Sequence, residues 1–483
     1  MSNDLRFVII GGGMAGILSA IKLKNSGYEN FSIYEKAESL GGTWRENTYP
    51  GIACDVPSHL YSYDFELNPD WSHACSPGGE ILAYFQNVAD KYGIVEKVSF
   101  GAEVSRLDYV DGQWHLECRN GLHDTANFII AASGVLHHPY FPEIPGLDSF
   151  SGHMFHTARW DHSIPLEDKR VGIIGTGSSA IQIVGDIADK VSHLTQFQRT
   201  AQWILPRENP PYTEEEKRQF REKPSAMREL RATQSGTFEG GFSSAVVGEN
   251  PDALAAIQAI TLANLEENVK DPQLREKLRP GYSAACKRLI MSDNYYDAIQ
   301  HPNAELITDP IERIEPTGIV TSDGRMHELD ILVLATGFKV DQFMRPIEVT
   351  GRNGLRLEDA WAERPTAYLS VSVPGFPNLA MLNGPNGPVG NFSLIDVADI
   401  QIDYFLKLVN QVRKSGCREI SATHEAAERF EKDRVEATKN TVWVSGCNSW
   451  YLDDRGIPAV WPWTMSRFRS AMAEPELNDF ELA

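Results

Sequence analysis

Two segments of this chain are built to the same plan: an apolar run, a glycine-rich turn, a helical stretch, and a second apolar run closed by a charged residue. The first runs from Leu5 to Ile10, through Gly11-x-Gly13-x-x-Gly16 and a helix to about Asn25, and on to Phe31-Ser-Ile-Tyr34 and Glu35. The second is Arg170-Val-Gly-Ile-Ile174, then Gly175-x-Gly177-x-x-Ala180, a helix over Ala180 to Asp189, and Leu194-Thr-Gln-Phe-Gln198 closed by Arg199. A short apolar run bounded by glycine reads as a parallel strand buried on both faces. Glycines at this spacing allow a tight turn and close backbone approach, and the following helix aims its free N–H groups at a pyrophosphate. A chain with two such units has few options. The expected fold is α/β, with two Rossmann-like dinucleotide-binding domains.

The charged residues that close the units differ in an informative way. Glu35 lies 24 residues after Gly11, and Arg199 lies 24 residues after Gly175. An acid at that offset accepts hydrogen bonds from a ribose diol, whereas a cation suits a ribose 2′-phosphate. Thr176, Gly177, Ser178 and Ser179 form the second turn, and Thr200 follows Arg199. The simpler alternative for Arg199 is a surface residue at a strand end. Two later runs return to these sheets: Phe128-Ile-Ile-Ala-Ala-Ser-Gly134 to the first, and Leu329-Asp-Ile-Leu-Val-Leu-Ala-Thr-Gly-Phe338 to the second. Ahead of Phe128, Ile81 to Tyr92 has helical periodicity and Val98 to Cys118 reads as two or three antiparallel strands. From Asn209 to Pro280, charges recur at helical spacing, so a mostly helical insertion of about 209–285 is expected inside the second unit. The resulting division is 1–141 for the first nucleotide domain, 142–340 for the second, and 341–483 completing the first together with a C-terminal loop.

The chain has 483 residues and a formal net charge of −21. An excess of acid of that size argues against a nucleic-acid partner and against attachment to an anionic membrane. No apolar run is long enough to span a bilayer, and Phe7-Val-Ile-Ile10 runs straight into glycines, as a first strand does and a signal peptide does not. The six cysteines (Cys54, Cys75, Cys118, Cys286, Cys417 and Cys447) form no CxxC pair. The expectation is free thiols in a reducing cytosol, hence a cytoplasmic protein; a monomer or small homo-oligomer is expected. The missing pair also argues against the disulfide reductases that share a two-nucleotide architecture.

Two further stretches carry longer patterns. Gly41-Gly-Thr-Trp-Arg-Glu-Asn-Thr-Tyr-Pro-Gly-Ile-Ala-Cys-Asp55 follows the first unit, and taken alone it is a loop rich in turn residues. Phe150-Ser-Gly-His-Met-Phe-His-Thr-Ala-Arg-Trp-Asp161 lies between the units, and spacing alone makes it a linker packed down by its aromatics. Gly41, Gly42, Trp44, Tyr49, Pro50, Gly51 and Asp55 match (A/G)-G-x-W-x-x-x-x-(F/Y)-P-(G/M)-x-x-x-D. Phe150, Gly152, His156, Trp160 and Asp161 match F-x-G-x-x-x-H-x-x-x-W-(P/D). With both patterns present, the chain resembles the Baeyer–Villiger monooxygenases, flavoenzymes that insert oxygen beside a ketone carbonyl.

The resemblance covers nearly the whole chain and is thinnest across the helical insertion, where no family motif falls. It implies FAD in the first unit and NADPH in the second, with a ketone and O2 as small-molecule partners. It implies that Gly42, Thr43 and Trp44 lie along the flavin, that Tyr61 touches it, and that Asp55 sits in the active site. Cys286-Lys-Arg-Leu-Ile-Met resembles the family's active-site arginine segment, with Lys287 towards the nicotinamide nucleotide and Arg288 towards the flavin. By itself, Lys287-Arg288 is a solvated cation pair. Asn383 to Asn391 is placed over the flavin's pyrimidine edge, and Trp450 of Ser449-Trp450-Tyr451 on a loop closing over NADP; Trp461 and Trp463 read as core. The implied reaction passes through a C4a-peroxyflavin that attacks the ketone and yields an ester or lactone. Arg288 is the expected stabiliser of developing negative charge, because a guanidinium keeps its proton at working pH, and Asp55 is expected to orient it. The neighbouring reading is a flavin-containing monooxygenase acting on sulfur or nitrogen. Its pattern ends in Tyr or Phe followed by a basic residue, where this chain has Trp160-Asp161. A futile NADPH oxidase would carry the same cofactor motifs.

Overall fold

A computed structural model describes residues 5–483. Two five-stranded parallel sheets organise it. In the first, the order is Leu379–Met381, Phe128–Ala131, Phe7–Ile10, Phe31–Tyr34 and Val98–Ser99, with Phe7 in register with both Phe31 and Phe128. In the second, the order is Ala304–Ile307, His193–Phe197, Arg170–Ile174, Ile331–Leu334 and His153–His156. The central strands are apolar along their whole length because both faces are covered: Phe7–Ile10, Phe128–Ala131 and Ile331–Leu334 are buried at every position.

Each first strand runs through its glycines into a helix, Met14–Asn25 in one unit and Ser178–Ile187 in the other. Gly11 and Gly175 have φ of +101° and +129°, a region costly for any residue with a Cβ. A methyl group on either would lie 2.6 Å from the Ala132 carbonyl oxygen or 2.3 Å from that of Ala335, so each turn packs on its own return strand.

Val104–Val110, Gln113–Cys118 and His123–Ala126 form an antiparallel sheet, which Glu348–Thr350 joins. Residues 214–278 supply five α-helices and a π-helical turn at Glu239–Ser243. The long helix Leu394–Ser415 packs against Met14–Asn25, covering the first sheet from the C-terminal part of the chain. No helix among the described residues is long and apolar enough to cross a membrane.

One expectation is corrected. The stretch 150–161 is more than a linker, because His153–His156 forms the edge strand of the second sheet, parallel to Ile331–Leu334. Its two histidines and lack of β-branched residues hide a strand that is set mainly by the neighbouring apolar ladder.

Candidate active site

Both glycine turns open on one cavity of about 1300 Å³. That exceeds the roughly 300–1,000 Å³ of an ordinary single-ligand site. The two helices meet the cavity at Gly13 and Gly177, neither of which supplies a capping side chain, and neither helix has an acid in its first turn. Their first N–H groups therefore remain available to an anion. These features fit two phosphate-bearing dinucleotides.

Of the residues singled out in the sequence, Gly11, Gly13, Glu35, Gly42, Thr43, Trp44, Asp55, Tyr61, Thr176, Gly177, Ser178, Ser179, Arg199, Thr200, Lys287, Arg288 and Trp450 all line this cavity. Gly16 does not. It is buried in the helix, where a Cβ would lie 1.9 Å from the Gly11 carbonyl oxygen, so it acts by letting helix and turn pack together.

Glu35 is 4% exposed; its carboxylate accepts the Gly12 N–H at 2.7 Å and the Ala37 N–H at 2.9 Å, and pairs with Arg45 at 3.2 Å. The acid at the end of the second strand thus also fixes the turn before the helix. Trp44 donates its indole N–H to the Tyr61 hydroxyl at 3.2 Å, and the rings meet edge to face. Asn383 lines the cavity with its buried Oδ1 lacking a partner in the protein, an acceptor open to a bound group.

The two long patterns join the nucleotide units to each other. Tyr49 is buried in the core of the second sheet and donates to Gln182 Oε1 at 2.9 Å; burial pushes its phenol up to about 12. Gln182 in turn donates to the Ala53 carbonyl at 3.0 Å, and a Cβ on Gly51 would fall 2.6 Å from the Gln182 carbonyl oxygen. The loop 41–55 is therefore fastened to the second unit's helix. Arg159 of the later pattern pairs with Glu46 of the earlier one, and His162 meets Thr48 at 2.8 Å. His156 is held neutral by burial. Its Nε2 lies 3.0 Å from the Gly337 carbonyl, and its Nδ1 accepts the Ala158 N–H at 3.1 Å. With Nδ1 an acceptor, Nε2 carries the proton and donates it, pinning the return turn after the Ile331–Leu334 strand.

At the joint between the units, Arg288 donates to Asp55 Oδ2. Both side chains are enclosed by protein yet face the cavity, with fractional exposures of 35% and 25%. Burial raises Asp55, but the charge and hydrogen bond of Arg288, with Arg207 behind them, outweigh it and hold the carboxyl below its usual range. Asp55 in turn raises Arg288 above the usual guanidinium range against the pull of burial. A permanently charged, oriented guanidinium results. Lys287, the neighbouring cation, is lowered by burial and by the charge of Arg199, so two cations that repel each other face the second cradle. Such a pair attracts a multivalent anion.

Sequence reasoning missed three features here. Tyr451 is buried, packs its hydroxyl on Gly390, and stands beside Arg288, which offsets part of burial's upward push on the phenol. Its position next to Trp450 was the available signal. Arg207 has no motif around it. The third is a correction: the six cysteines are not all free, because Cys286 and Cys447 form a disulfide. The partners are 161 residues apart, and the fold brings their Cα atoms to 6.1 Å, so no local spacing could reveal the bridge. Cys54, Cys75, Cys118 and Cys417 remain thiols.

Two dinucleotide cradles sharing a cavity, with a guanidinium–carboxylate pair between them, fit the class of oxidoreductases that carry two nucleotide cofactors. Residues 8–225 match the pyridine nucleotide-disulphide oxidoreductase family model. The chain is 43% identical over 475 residues to an uncharacterized monooxygenase of Mycobacterium tuberculosis, covering 98% of this chain and 95% of the relative. It is 37% identical over 490 residues to a Baeyer–Villiger monooxygenase of Pseudomonas aeruginosa, covering 100% of this chain and 92% of that one. Among solved structures, cyclohexanone monooxygenase from Rhodococcus sp. Phi1 bound to NADP+ superposes with a TM-score of 0.88 at 30% identity over 99% of both chains. The chain belongs to the Baeyer–Villiger monooxygenase family.

Proposed function

We propose that this enzyme converts a ketone, O2 and NADPH, with one proton, into an ester or lactone, NADP+ and water. FAD and NADPH are its cofactors. The turn at Gly11 and Gly13 with Glu35 holds FAD, and Gly42, Thr43, Trp44 and Tyr61 lie along it; residues 1–141 and 341–483 form this domain. The turn Thr176–Ser179 holds the NADPH pyrophosphate, and Arg199, Thr200 and Lys287 hold the 2′-phosphate. Residues 142–340 form this second domain, which carries the insertion at about 209–285.

A bound FAD would supply the redox chemistry that links NADPH to O2. The chain's own residues then position charge. Arg288 holds a fixed positive charge where negative charge develops on oxygen during attack on the carbonyl, and it needs no reorganisation to do so. Asp55 stays ionised and fixes the plane of the guanidinium fork. Trp450 and its loop keep water from the reacting centre. The observation that carries this reading is the Arg288–Asp55 pair facing the cavity that both cradles share.

The test is to incubate the purified yellow protein with NADPH and a panel of cyclic and open-chain ketones, counting ester and peroxide per NADPH. Near one ester per NADPH on at least one ketone is expected. Oxidation of sulfides or amines alone, or peroxide as the sole product, overturns the proposal.

A further inference from the structure

The Cys286–Cys447 bridge joins the two segments that matter most around Arg288. Cys286 immediately precedes Lys287 and Arg288, and Cys447 opens the segment Cys447-Asn-Ser-Trp-Tyr451. Asn448, Ser449 and Trp450 line the cavity, and Tyr451 stands beside Arg288. The bridge lies in a small apolar cluster with Val246, Val442, Trp443, Tyr451 and Val460, and its cysteines are 0% and 7% exposed.

Beyond the bridge, the ties of this segment are uneven. Its far end is well held: Trp461 donates its backbone N–H to the Gly387 carbonyl at 3.0 Å, Arg434 bonds the Pro458 carbonyl, Asn386 donates to the Ala459 carbonyl at 3.3 Å, and Arg455 pairs with Glu431 at 3.6 Å. The near end is not. Among the described residues, no backbone hydrogen bond links 445–451 to 283–289, and the backbone–backbone bonds made by 449–459 close on themselves, as with Leu452 to Ser449 and Ala459 to Tyr451; besides the bridge, only the bond between the Tyr451 hydroxyl and Arg288 spans that gap. Trp450 is 39% exposed, resting on Tyr451 at a ring separation of 4.2 Å. The covalent link therefore bears on the part of the loop that reaches the cavity.

We propose that Cys286 and Cys447 are a reversible thiol–disulfide clasp that holds the Trp450 loop at the cavity, with hydrogen peroxide as the oxidant. The inference rests on the proposed function in one respect: the loop closes over bound NADP. Cys447 is the entry point, since its neighbour Asn448 faces the cavity. Its thiolate attacks peroxide; an S–O bond forms, the O–O bond breaks, and one water leaves. The Cys286 sulfur then displaces the hydroxyl of the sulfenic acid, the S–S bond forms, and a second water leaves. In sum, two thiols and one H2O2 give a disulfide and two H2O. A dithiol reverses the step and is itself oxidised. Uncoupled turnover, which oxidises NADPH and releases H2O2 into this same cavity, supplies the oxidant. An open loop thereby produces the reagent that fastens it.

The test uses the FAD-loaded full chain with NADP+ alone as probe. Unfolded samples should titrate four thiols as the disulfide form and six after dithiothreitol. NADP+ affinity should fall about tenfold on reduction, as it would if the binding-competent loop dropped to about a tenth of the population, and recover with peroxide. A Cys286→Ser/Cys447→Ser double variant should match the reduced form and ignore both reagents. If that variant does not fold, the NADP+ affinity of the wild type cycled between four and six thiols decides the matter. Equal NADP+ affinity in the two states overturns the clasp, and so does a lower melting temperature on reduction with affinity unchanged, which would mark a structural cross-link only. Failure of peroxide to restore four thiols overturns it as well. Ester formation by the oxidised wild type is measured separately, so failure of the catalytic reading is told apart from failure of the clasp.

Discussion

Arg288→Ala separates what this residue does for chemistry from what it does for structure. In the wild type the guanidinium donates to Asp55, stands beside the buried Tyr451 hydroxyl, and faces the cavity. Deleting one preorganised stabiliser of developing oxyanion charge costs about 2.7–4 kcal/mol, a loss of roughly a hundredfold to a thousandfold in rate. Ester formation, followed by gas chromatography, should fall by at least that factor, with remaining NADPH consumption appearing as hydrogen peroxide. Flavin content, read from the visible spectrum of the purified protein, should stay near wild type, because Gly11, Gly13 and Glu35 are untouched. Asp55 adds a second, independent readout. Its carboxyl is held low mainly by Arg288 against burial; without that cation its pKa rises. In the wild type, the depressed pKa contributes stability above the unfolded-state value and loses it as pH falls. In the variant that contribution is reduced, so the gap in melting temperature between the two proteins should narrow as pH falls through the carboxylate range. Ester formation at near wild-type rate in a flavin-loaded variant would refute the electrostatic role. A colourless variant would refute the separation of roles.

Four further outcomes follow from the structure. Asp55→Ala removes one charge-assisted bond, worth about 1.5–3 kcal/mol; oxygenation should slow by on the order of tenfold to a hundredfold while flavin stays bound, and loss of flavin would move Asp55 to a structural role. Arg199→Ala should weaken NADPH use by on the order of tenfold to a hundredfold and leave NADH use nearly unchanged, as measured by steady-state kinetics with both. In the wild type, NADP+ affinity should fall as rising pH deprotonates Lys287, at a pH below 10.5 because that lysine is already lowered by burial and by Arg199. His59 is fully buried between Tyr212 and Phe220 with neither ring nitrogen partnered, and burial, aided by Arg231, lowers it to about 4. Its contribution to stability is present above 6.5 and is lost as pH falls towards 4, on the order of 3 kcal/mol in all. His59→Phe should therefore flatten the acid side of the melting-temperature profile, and an unchanged profile would show that other groups set it.

How much of this was legible in the sequence depends on the distance over which each interaction acts. The glycine turns, their strands and the charges at Glu35 and Arg199 are local constructions, since a tight turn and a helix N-terminus are specified within a few residues. The edge strand at His153–His156 was not legible, because its pairing belongs to Ile331–Leu334, far along the chain. Glu35 was assigned to a ribose, but its bonds to Gly12 and Ala37 and its pairing with Arg45 appear only once the loop 41–55 folds back over the turn. The disulfide was missed for the same reason: a thiol and half of a bridge are the same letter.

The long patterns 41–55 and 150–161 gain a physical explanation from their contacts. Asp55 is the only residue of either pattern paired with Arg288. The others act on the joint: Tyr49 enters the second core, Gly51 lies against the second helix, Arg159 pairs with Glu46, and His156 grips the Gly337 carbonyl. Asp55 arrives on a loop of the first unit, and Arg288 on a segment entering the second through the Ile290–Met291 strand. The distance between carboxylate and guanidinium is then a property of how the two units dock, and small shifts in that docking would move the charge off the reacting oxygen. Residues spread over more than a hundred positions fix that docking, which is why the patterns are long and why most of their members never touch the chemistry they make possible.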